Sequence, residues 1–171
     1  MKGQSLRVLS FRVRGVNVEI RELSLSEVDE ALLLIREVLL ETESGECTQM
    51  GVLTFLESLR VEDFITLIRE EAYLLLGAFA DGDVLVGVLG ARENFLVLLF
   101  VDQRFSGLGY GKSLLAHYVK RIKGGERIYR EILTNASLGA VKFYEIMRFG
   151  VCGDEMVVSG VPHKPMSLRF L

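Results

Sequence analysis

The chain has little of what builds crosslinked, metal-bound or membrane-spanning proteins. Cysteine occurs twice in 171 residues, as Cys47 and Cys152, and histidine twice, as His117 and His163. Two distant thiols make no disulfide framework, and with two histidines they supply no metal-ligand cluster, so reduced thiols and no metal are expected. There is no basic excess: the net charge is −3 and the pI is near 5.5, which leaves no global field to recruit nucleic acid. Apolar runs fall well short of the roughly 20 residues that a bilayer requires. No signal-peptide core precedes residue 20, so a cytoplasmic protein without membrane contact is expected. With only two prolines and half of its residues apolar, the chain should form one globular domain with a sizeable core.

What the chain does have is concentrated in residues 94–123, NFLVLLFVDQRFSGLGYGKSLLAHYVKRIK. Phe95–Val101 is an unbroken apolar run rich in β-formers, the length of a strand buried on both faces and hence a central one. Gly107, Gly109 and Gly111 alternate through the turn that follows. Leu114, Leu115, Tyr118, Val119 and Ile122 then recur at helical spacing. Lys120, Arg121 and Lys123 crowd the last turn, where the macrodipole favours cations, and Gly124-Gly125 end the helix. Glycines ahead of a helix N-terminus bring backbone N–H groups close to an anion, usually phosphate. The stretch reads as strand, anion-binding loop and helix, and it asks for a phosphorylated ligand.

Three phosphate-binding patterns compete for this loop. Ser106–Ser113 misses the nucleotide P-loop GxxxxGK[ST] because Ser106 stands where the first glycine should be, and no later apolar strand ends in an Asp for magnesium. The dinucleotide fingerprint GxGxxG fails at Lys112, which takes the third glycine's place. A degenerate P-loop stays open as an alternative. The third pattern, Ser106-x-x-Gly109-x-Gly111 between strand and helix, resembles the acetyl-coenzyme A (acetyl-CoA) loop of the GNAT acetyltransferase superfamily, Gln/Arg-x-x-Gly-x-Gly/Ala, with Ser106 replacing the long side chain. Asn135, Ala140, Phe143-Tyr144-Glu145 and Phe149 resemble the family's downstream block, and Pro165-Met166-Ser167-Leu168 resembles the end of many such domains. The resemblance covers residues 16–171 and is strongest after residue 84.

Residues 1–15 carry Lys2, Arg7, Arg12 and Arg14 and no acid. They read as a basic extension or as an extra strand over Leu6–Val13, at a sheet edge or at a dimer contact that would build a homodimer. Four charges without a partner fold are weak grounds for a nucleic-acid arm. Val16, Val18 and Ile20 alternate with polar residues as a first strand. Ser24 and Glu27 form a capping box ahead of a helix with the apolar stripe Val28, Ala31, Leu32, Ile35, Val38 and Leu39. A helical region broken near Arg60 runs from about Val52 to Glu70. Glu41, Glu43 and Glu46 either attract a cationic amine or simply solvate a helix end. Tyr73–Ala80 and Val84–Ala91 form a hairpin through Asp81-Gly82-Asp83, and Phe95–Val101 extends it to a meander. Ile128–Thr134 reads as a strand, Ser137–Met147 as a helix, and Gly150–Val158 and Met166–Phe170 as the last strands. This order is the one the resemblance implies: a single α/β domain over residues 16–171, with a mixed, mostly antiparallel sheet of about seven strands flanked by four helices.

The resemblance further implies an N-acetyltransferase that moves an acetyl group from acetyl-CoA to a primary amine of a small molecule or protein, without a metal. It implies that the pantetheine arm pairs with the backbone of Leu99, Phe100 and Val101, where this strand splays from the next. The pyrophosphate would fall on Ser106, Gly107, Leu108, Gly109, Tyr110, Gly111 and Lys112. A strand edge opened by a bulge would offer an N–H to the carbonyl oxygen. Tyr144 lies on the stripe Ala140, Phe143, Tyr144, Met147, so periodicity alone makes it core; the motif makes it the acid for the departing thiolate. Asn135 is a cofactor ligand by the motif and a helix cap by its place at a strand end. Glu93, at the entrance to the central strand, is either the base for the amine or a turn glutamate in water. A GNAT-like domain that binds acyl-CoA without turnover is the other reading.

Overall fold

Alternating and continuous β-branched and leucine-rich runs form nine strands. The computed structural model describes residues 8–13, 16–41, 48–70, 73–158 and 160–170. Of the basic segment, residues 1–7, 14 and 15 lie outside the described residues, as do Glu43, Glu46 and Cys47. Strand β1 (Leu9–Val13) pairs antiparallel with β2 (Val16–Glu22). Strand β2 pairs with β3 (Leu74–Ala80), which forms a meander with β4 (Val84–Arg92) and β5 (Phe95–Val101). At the hairpin tip Asp81 (φ 43°) and Gly82 (φ 105°) both take the positive φ that a tight turn of this kind uses. Strands β6 (Glu131–Ser137), β7 (Gly150–Val151), β8 (Met156–Val158) and β9 (Val161–Arg169) complete the sheet. Its order is β1-β2-β3-β4-β5-β6-β9-β7, with β8 also paired to β9, and only β5 and β6 run parallel.

Two layers of helix cover the sheet. Helices α1 (Val28–Glu41), α2 (Gln49–Ser58) and α3 (Val61–Arg69) bury one apolar core against Leu75, Phe79, Val88 and Leu98. Helices α4 (Tyr110–Gly124) and α5 (Val141–Ile146) bury the other against Leu76, Leu89, Leu96, Ile132 and Met166. Among the described residues no helix is long and apolar enough to cross a membrane.

The expected architecture is present, with nine strands in place of about seven and five α-helices in place of four among the described residues. The helical region broken near Arg60 is two helices, α2 and α3, joined through Leu59 and Arg60. Gly150–Val158 is not one strand but two short ones, and the last strand starts at Val161 rather than Met166. Pro162 and Pro165 weaken a strand reading of that stretch, but Pro162 pairs with Val157 and Pro165 with Asn135, so tertiary pairing overrides the local preference. Strand β6 begins at Glu131, and Ile128, read as its start, is 92% exposed. Strand β5 is central, yet it is not buried on both faces: Val97 is 46% exposed and Leu99, Phe100 and Val101 are half-buried.

The capping box is present and is reinforced from the neighbouring strand. Glu27 accepts the Ser24 N–H (2.8 Å) and two hydrogen bonds from the Arg21 guanidinium (2.6 and 3.0 Å). The Arg21 hydrogen bonds, then those of Ser24, hold the Glu27 carboxyl down at about 2 against the opposing effect of burial. A depressed carboxyl stabilises the fold above its ordinary value near 4.5 and loses that contribution as pH falls through about 2. Glu27→Gln is therefore expected to cost about 1–2 kcal/mol at pH 7 and close to nothing near pH 2, the part-exposed pair being screened by solvent. Urea unfolding of both proteins across that range measures it.

Candidate active site

The functional geometry starts where the sheet comes apart. Strands β5 and β6 pair only at Phe95 with Leu133 and Leu96 with Thr134. Immediately afterwards the register between β4 and β5 slips, since Gly90 faces Leu98 while Ala91 faces Leu96. Val97 is thereby left as a bulge that bends the strand. The Thr134 hydroxyl donates to the Leu96 carbonyl (3.0 Å) and closes the parallel pairing at its last residue. Past this point, among the described residues, no strand lies beside the β6-facing edge of 97–101. Such an edge offers backbone donors and acceptors to whatever enters the gap.

The loop after β5 is built to approach an anion. The Asp102 carboxylate accepts the Arg104 N–H (2.8 Å) and its guanidinium (2.5 Å), which starts a short 3-10 turn over Gln103–Phe105. The Arg104 guanidinium also holds the Asp102 carboxyl below its ordinary range. The one acid at the loop entrance thus carries its own counter-charge. Gly107 (φ 74°) and Gly109 (φ 94°) then take left-handed conformations, Gly109 as the N-cap of α4. Only glycine adopts these angles without strain. Ser113 turns inward, with its N–H and its hydroxyl both donating to the Gly109 carbonyl (2.9 Å each). The N–H groups of Gly109, Tyr110, Gly111 and Lys112 form the first turn of α4 and have no intrahelical acceptor. Together with the positive end of the helix dipole they make an anion cradle, with the exposed Lys112 beside it.

Helix α5 forms the facing wall. A cavity of about 390 Å³ lies between the two, bounded by Leu99 and Val101 of β5, by Phe105–Gly107 and Gly109–Lys112 of the loop and α4, and by Ala140, Phe143, Tyr144, Ile146 and Met147. Tyr144 is 6% exposed, its ring set edge-on to Phe143 and Phe149 at 5.2 and 5.3 Å. Burial pushes its hydroxyl up to about 12, partly offset by a hydrogen bond with the Thr134 side chain. A pKa raised so far makes Tyr144 a hydrogen-bond donor rather than an acid that gives its proton away.

The structure thus brings Leu99, Val101, Ser106, Gly107, Gly109, Tyr110, Gly111, Lys112 and Tyr144 to one cavity. Leu108 packs on the core beside it. The Phe100 side chain points to the other face, against Phe55 of α2 (6.0 Å between ring centroids), and offers only backbone to the gap. Asn135 sits inside β6 opposite Pro165 and does not line the cavity; Ser137, not Asn135, is the N-cap of the turn leading into α5. Glu93 lies in the β4–β5 turn with φ 51°, at the narrow end of the gap and away from the cavity. Its carboxylate pairs with Arg127, and its carbonyl accepts the Tyr118 hydroxyl (2.8 Å). Phe143 and Met147 read as core from the stripe Ala140, Phe143, Tyr144, Met147, and Phe105 and Ile146 carry no signal in the sequence; all four bound the cavity, with Ile146 69% exposed.

The sequence model of the acetyltransferase (GNAT) domain matches residues 43–170. No curated protein matches the chain in sequence. Among solved structures, the PaiA N-acetyltransferase from Thermoplasma acidophilum in complex with coenzyme A is similar, with a TM-score of 0.72 and 21% identity over 90% of this chain and 99% of that one. A GCN5-related N-acetyltransferase from Rhodopseudomonas palustris gives 0.72 and 15% identity, over 88% and 94% of the two chains. YncA of Salmonella typhimurium, solved with its cofactor acetyl-CoA, gives 0.67 and 13% identity, over 90% and 94%. With the family model spanning this much of the chain, from α2's approach to the end of β9, the protein belongs to the GNAT family of acetyltransferase domains.

Proposed function

We propose that the protein is an N-acetyltransferase that transfers the acetyl group of acetyl-CoA to a primary amine of a small molecule or a protein. One observation carries the reading: the glycine loop with the N-terminus of α4 and the Tyr144 helix form opposite walls of one cavity, at the place where β5 loses its neighbour. The bound co-substrate supplies an acetyl group activated as a thioester. The residues present fit it. The edge of β5 from Leu99 to Val101 suits the amides of an extended arm, and the first turn of α4 with Lys112 suits a pyrophosphate. The bulge at Val97 turns backbone groups toward the gap, where an N–H can meet developing charge on a carbonyl oxygen. Tyr144 places a neutral O–H at the inner end of the cavity for a departing thiolate. Holding amine and thioester together removes much of the entropic cost of a bimolecular encounter, worth several kcal/mol. PaiA, similar in fold, is an N-acetyltransferase solved with coenzyme A, which is consistent with this reading.

Thermal unfolding tests the ligand. Acetyl-CoA at about one hundred times its dissociation constant should stabilise by roughly 2.7 kcal/mol, or on the order of 5–10 °C in a domain of this size, whereas ATP-magnesium and NAD should leave the midpoint unchanged. A shift with ATP alone would give the loop to a nucleotide. Thiol release over a panel of alkylamines, polyamines, amino acids and peptides then identifies the acceptor, and binding without release on any amine would leave a non-catalytic acyl-CoA-binding domain.

A further inference from the structure

We infer that His163 receives the proton of the acceptor amine. The inference rests on the acetyl-transfer reading above and assigns the base that transfer needs. An alkylammonium has no lone pair, so a group near the gap must take its proton as the nitrogen attacks.

The strand register places His163 on the side of the gap facing away from the acetyl-CoA cavity. In β6, Ile132 and Ala136 point into the α4 core, so Asn135 and Ser137 point the other way. The β6–β9 register is unbroken and sets His163 directly opposite Ser137, and directly opposed residues share a face. On its other edge His163 faces Met156 of β8. Ser137 ends β6 at the wide end of the gap, immediately before the turn whose Ala140 lines the cavity. Helix α2 spans this face: Phe55 packs on Phe100 of β5, and Thr48 at its N-terminus donates to the carbonyl of Gly160 in the β8–β9 turn (3.4 Å). His163 therefore stands where an amine approaching from the α2 side would meet a thioester held from the α4 side.

Its chemistry is fixed by one contact. The His163 Nδ1 lies 2.9 Å from the carbonyl oxygen of Val161. A carbonyl has no proton to give, so Nδ1 carries the hydrogen, and in the neutral ring Nε2 is the nitrogen that offers a lone pair. The ring is half-buried. Its register partners are Ser137 of β6 and Met156 of β8, with Asn135 next along the same face of β6, and none of these is charged. Strand β7 and the 138–140 turn carry no titratable side chain; α2 carries Glu57 in its last turn, and Cys152, Asp154 and Glu155 lie between β7 and β8, all four exposed. The charged groups on the same strand face are Glu131 and Arg169, which pair with each other (3.5 Å) at the far end. Lys164 points to the opposite face. Glu93, the other candidate, is tied to Arg127 at the narrow end of the gap.

The step balances. One ammonium proton passes to Nε2, the freed nitrogen lone pair forms the C–N bond to the acetyl carbon, and the C–S bond breaks with its electron pair going to sulfur. A second N–H proton of the amine ends on sulfur, giving the amide, free coenzyme A and a protonated His163 that returns its proton to solvent.

Two measurements decide it. With His117→Gln as background, His163 is the one histidine left, and diethyl pyrocarbonate should modify its unprotonated Nε2, read as peptide mass. Saturating acetyl-CoA should slow that modification at least fivefold. Calorimetry on the same sample separates the two failures: no acetyl-CoA binding removes the acetyl-transfer reading and this proposal with it, whereas tight binding without protection removes the proposal alone. On any amine that the panel shows to be acetylated, His163→Gln should lower kcat/KM about 10²-fold at pH 7.5 with acetyl-CoA affinity unchanged. The deficit should shrink to within about threefold near pH 10, where about a quarter of an amine of pKa about 10.4 arrives already deprotonated, against about 0.1% at pH 7.5. A deficit constant with pH, or full activity at pH 7.5, would overturn the assignment.

Discussion

Gly109→Val is expected to lower coenzyme A affinity at least 100-fold, and Gly111→Val to do the same for a different reason. Gly109 caps α4 at φ 94°, ψ 2°. A β-branched residue at such angles is strained by about 1–3 kcal/mol. The loop can relieve that strain only by turning the next N–H groups away from their common focus. A loss of 100-fold is about 2.7 kcal/mol, within what strain and a dispersed cradle can together remove. Gly111 is different, for its backbone is ordinary. A Cβ there would stand 3.5 Å from Val101 and 3.7 Å from Phe143, in normal contact with both walls of the cavity. Alanine should fit, while the two further methyl groups of valine occupy the space a ligand needs. Ser106→Ala should change affinity less than threefold, because the cradle is made of backbone. Titration calorimetry, with melting curves to show that each variant folds, gives the ranking. If Ser106→Ala abolished binding and both valine variants bound as the parent does, the loop would not be the pyrophosphate site.

Tyr144→Phe should reduce turnover by about 10–10³-fold with acetyl-CoA affinity and stability nearly unchanged. A free thiol titrates near pKa about 8.5. With the Tyr144 hydroxyl pushed up to about 12, full proton transfer to the thiolate is uphill by roughly 5 kcal/mol. On the acetyl-transfer reading the tyrosine would stabilise the leaving sulfur through a hydrogen bond and keep its proton, which places its expected effect at or below the lower end of general-acid catalysis. The pH profile distinguishes the two roles. A tyrosine that gives up its proton would need a pKa brought down into the working range and would impose a basic limb there, whereas a hydrogen-bond donor of pKa about 12 adds no limb of its own below pH 10. Phenylalanine keeps the ring that packs edge-on against Phe143 and Phe149, so a purely structural tyrosine predicts unchanged turnover. That result, from thiol release at saturating acetyl-CoA, would remove Tyr144 from the mechanism.

The strand, loop and helix from Phe95 to Gly124 were readable because every signal in them is local. An unbroken apolar run, glycines at positions needing a left-handed backbone and an apolar stripe ending in lysines and arginine act within a few residues of one another. The Ser24–Glu27 box and the break at Arg60 were readable for the same reason. The gap between β5 and β6 was not, because nothing in the Phe95–Val101 run marks Val97 as the bulged residue. That outcome depends on Gly90 and Ala91 of the partner strand. The apolar run reads as a strand buried on both faces, whereas its Leu99 and Val101 line a cavity and its Phe100 packs on the opposite face. Phe143 and Met147 misled in the same way, since a cavity wall and a core helix share one periodicity. Strand β9 was shortened by its prolines, and with its start went the position of His163, whose role depends entirely on which residue of β6 it faces.

The two residue pairs that join β5 to β6 also divide the molecule mechanically. On one side stand β1–β5 with α1–α4, and on the other β6–β9 with α5. Among the described residues the seam includes the two backbone pairings, the Leu133 N–H donating to the Asn94 carbonyl (2.9 Å), the Asn94 side chain donating to the Glu131 carbonyl (2.9 Å), the Thr134 hydroxyl on the Leu96 carbonyl (3.0 Å), the Thr48 hydroxyl on the Gly160 carbonyl (3.4 Å), and the shared apolar core under α4. An extended arm lying along β5 acts as the missing strand, so the ligand is a structural member of the sheet as well as a reactant. The smaller blade then becomes a cooperative unit of its own, able to open along the seam at less cost than global unfolding. On the acetyl-transfer reading, release of product and entry of fresh co-substrate would both pass this seam, and its compliance would then set a ceiling on turnover.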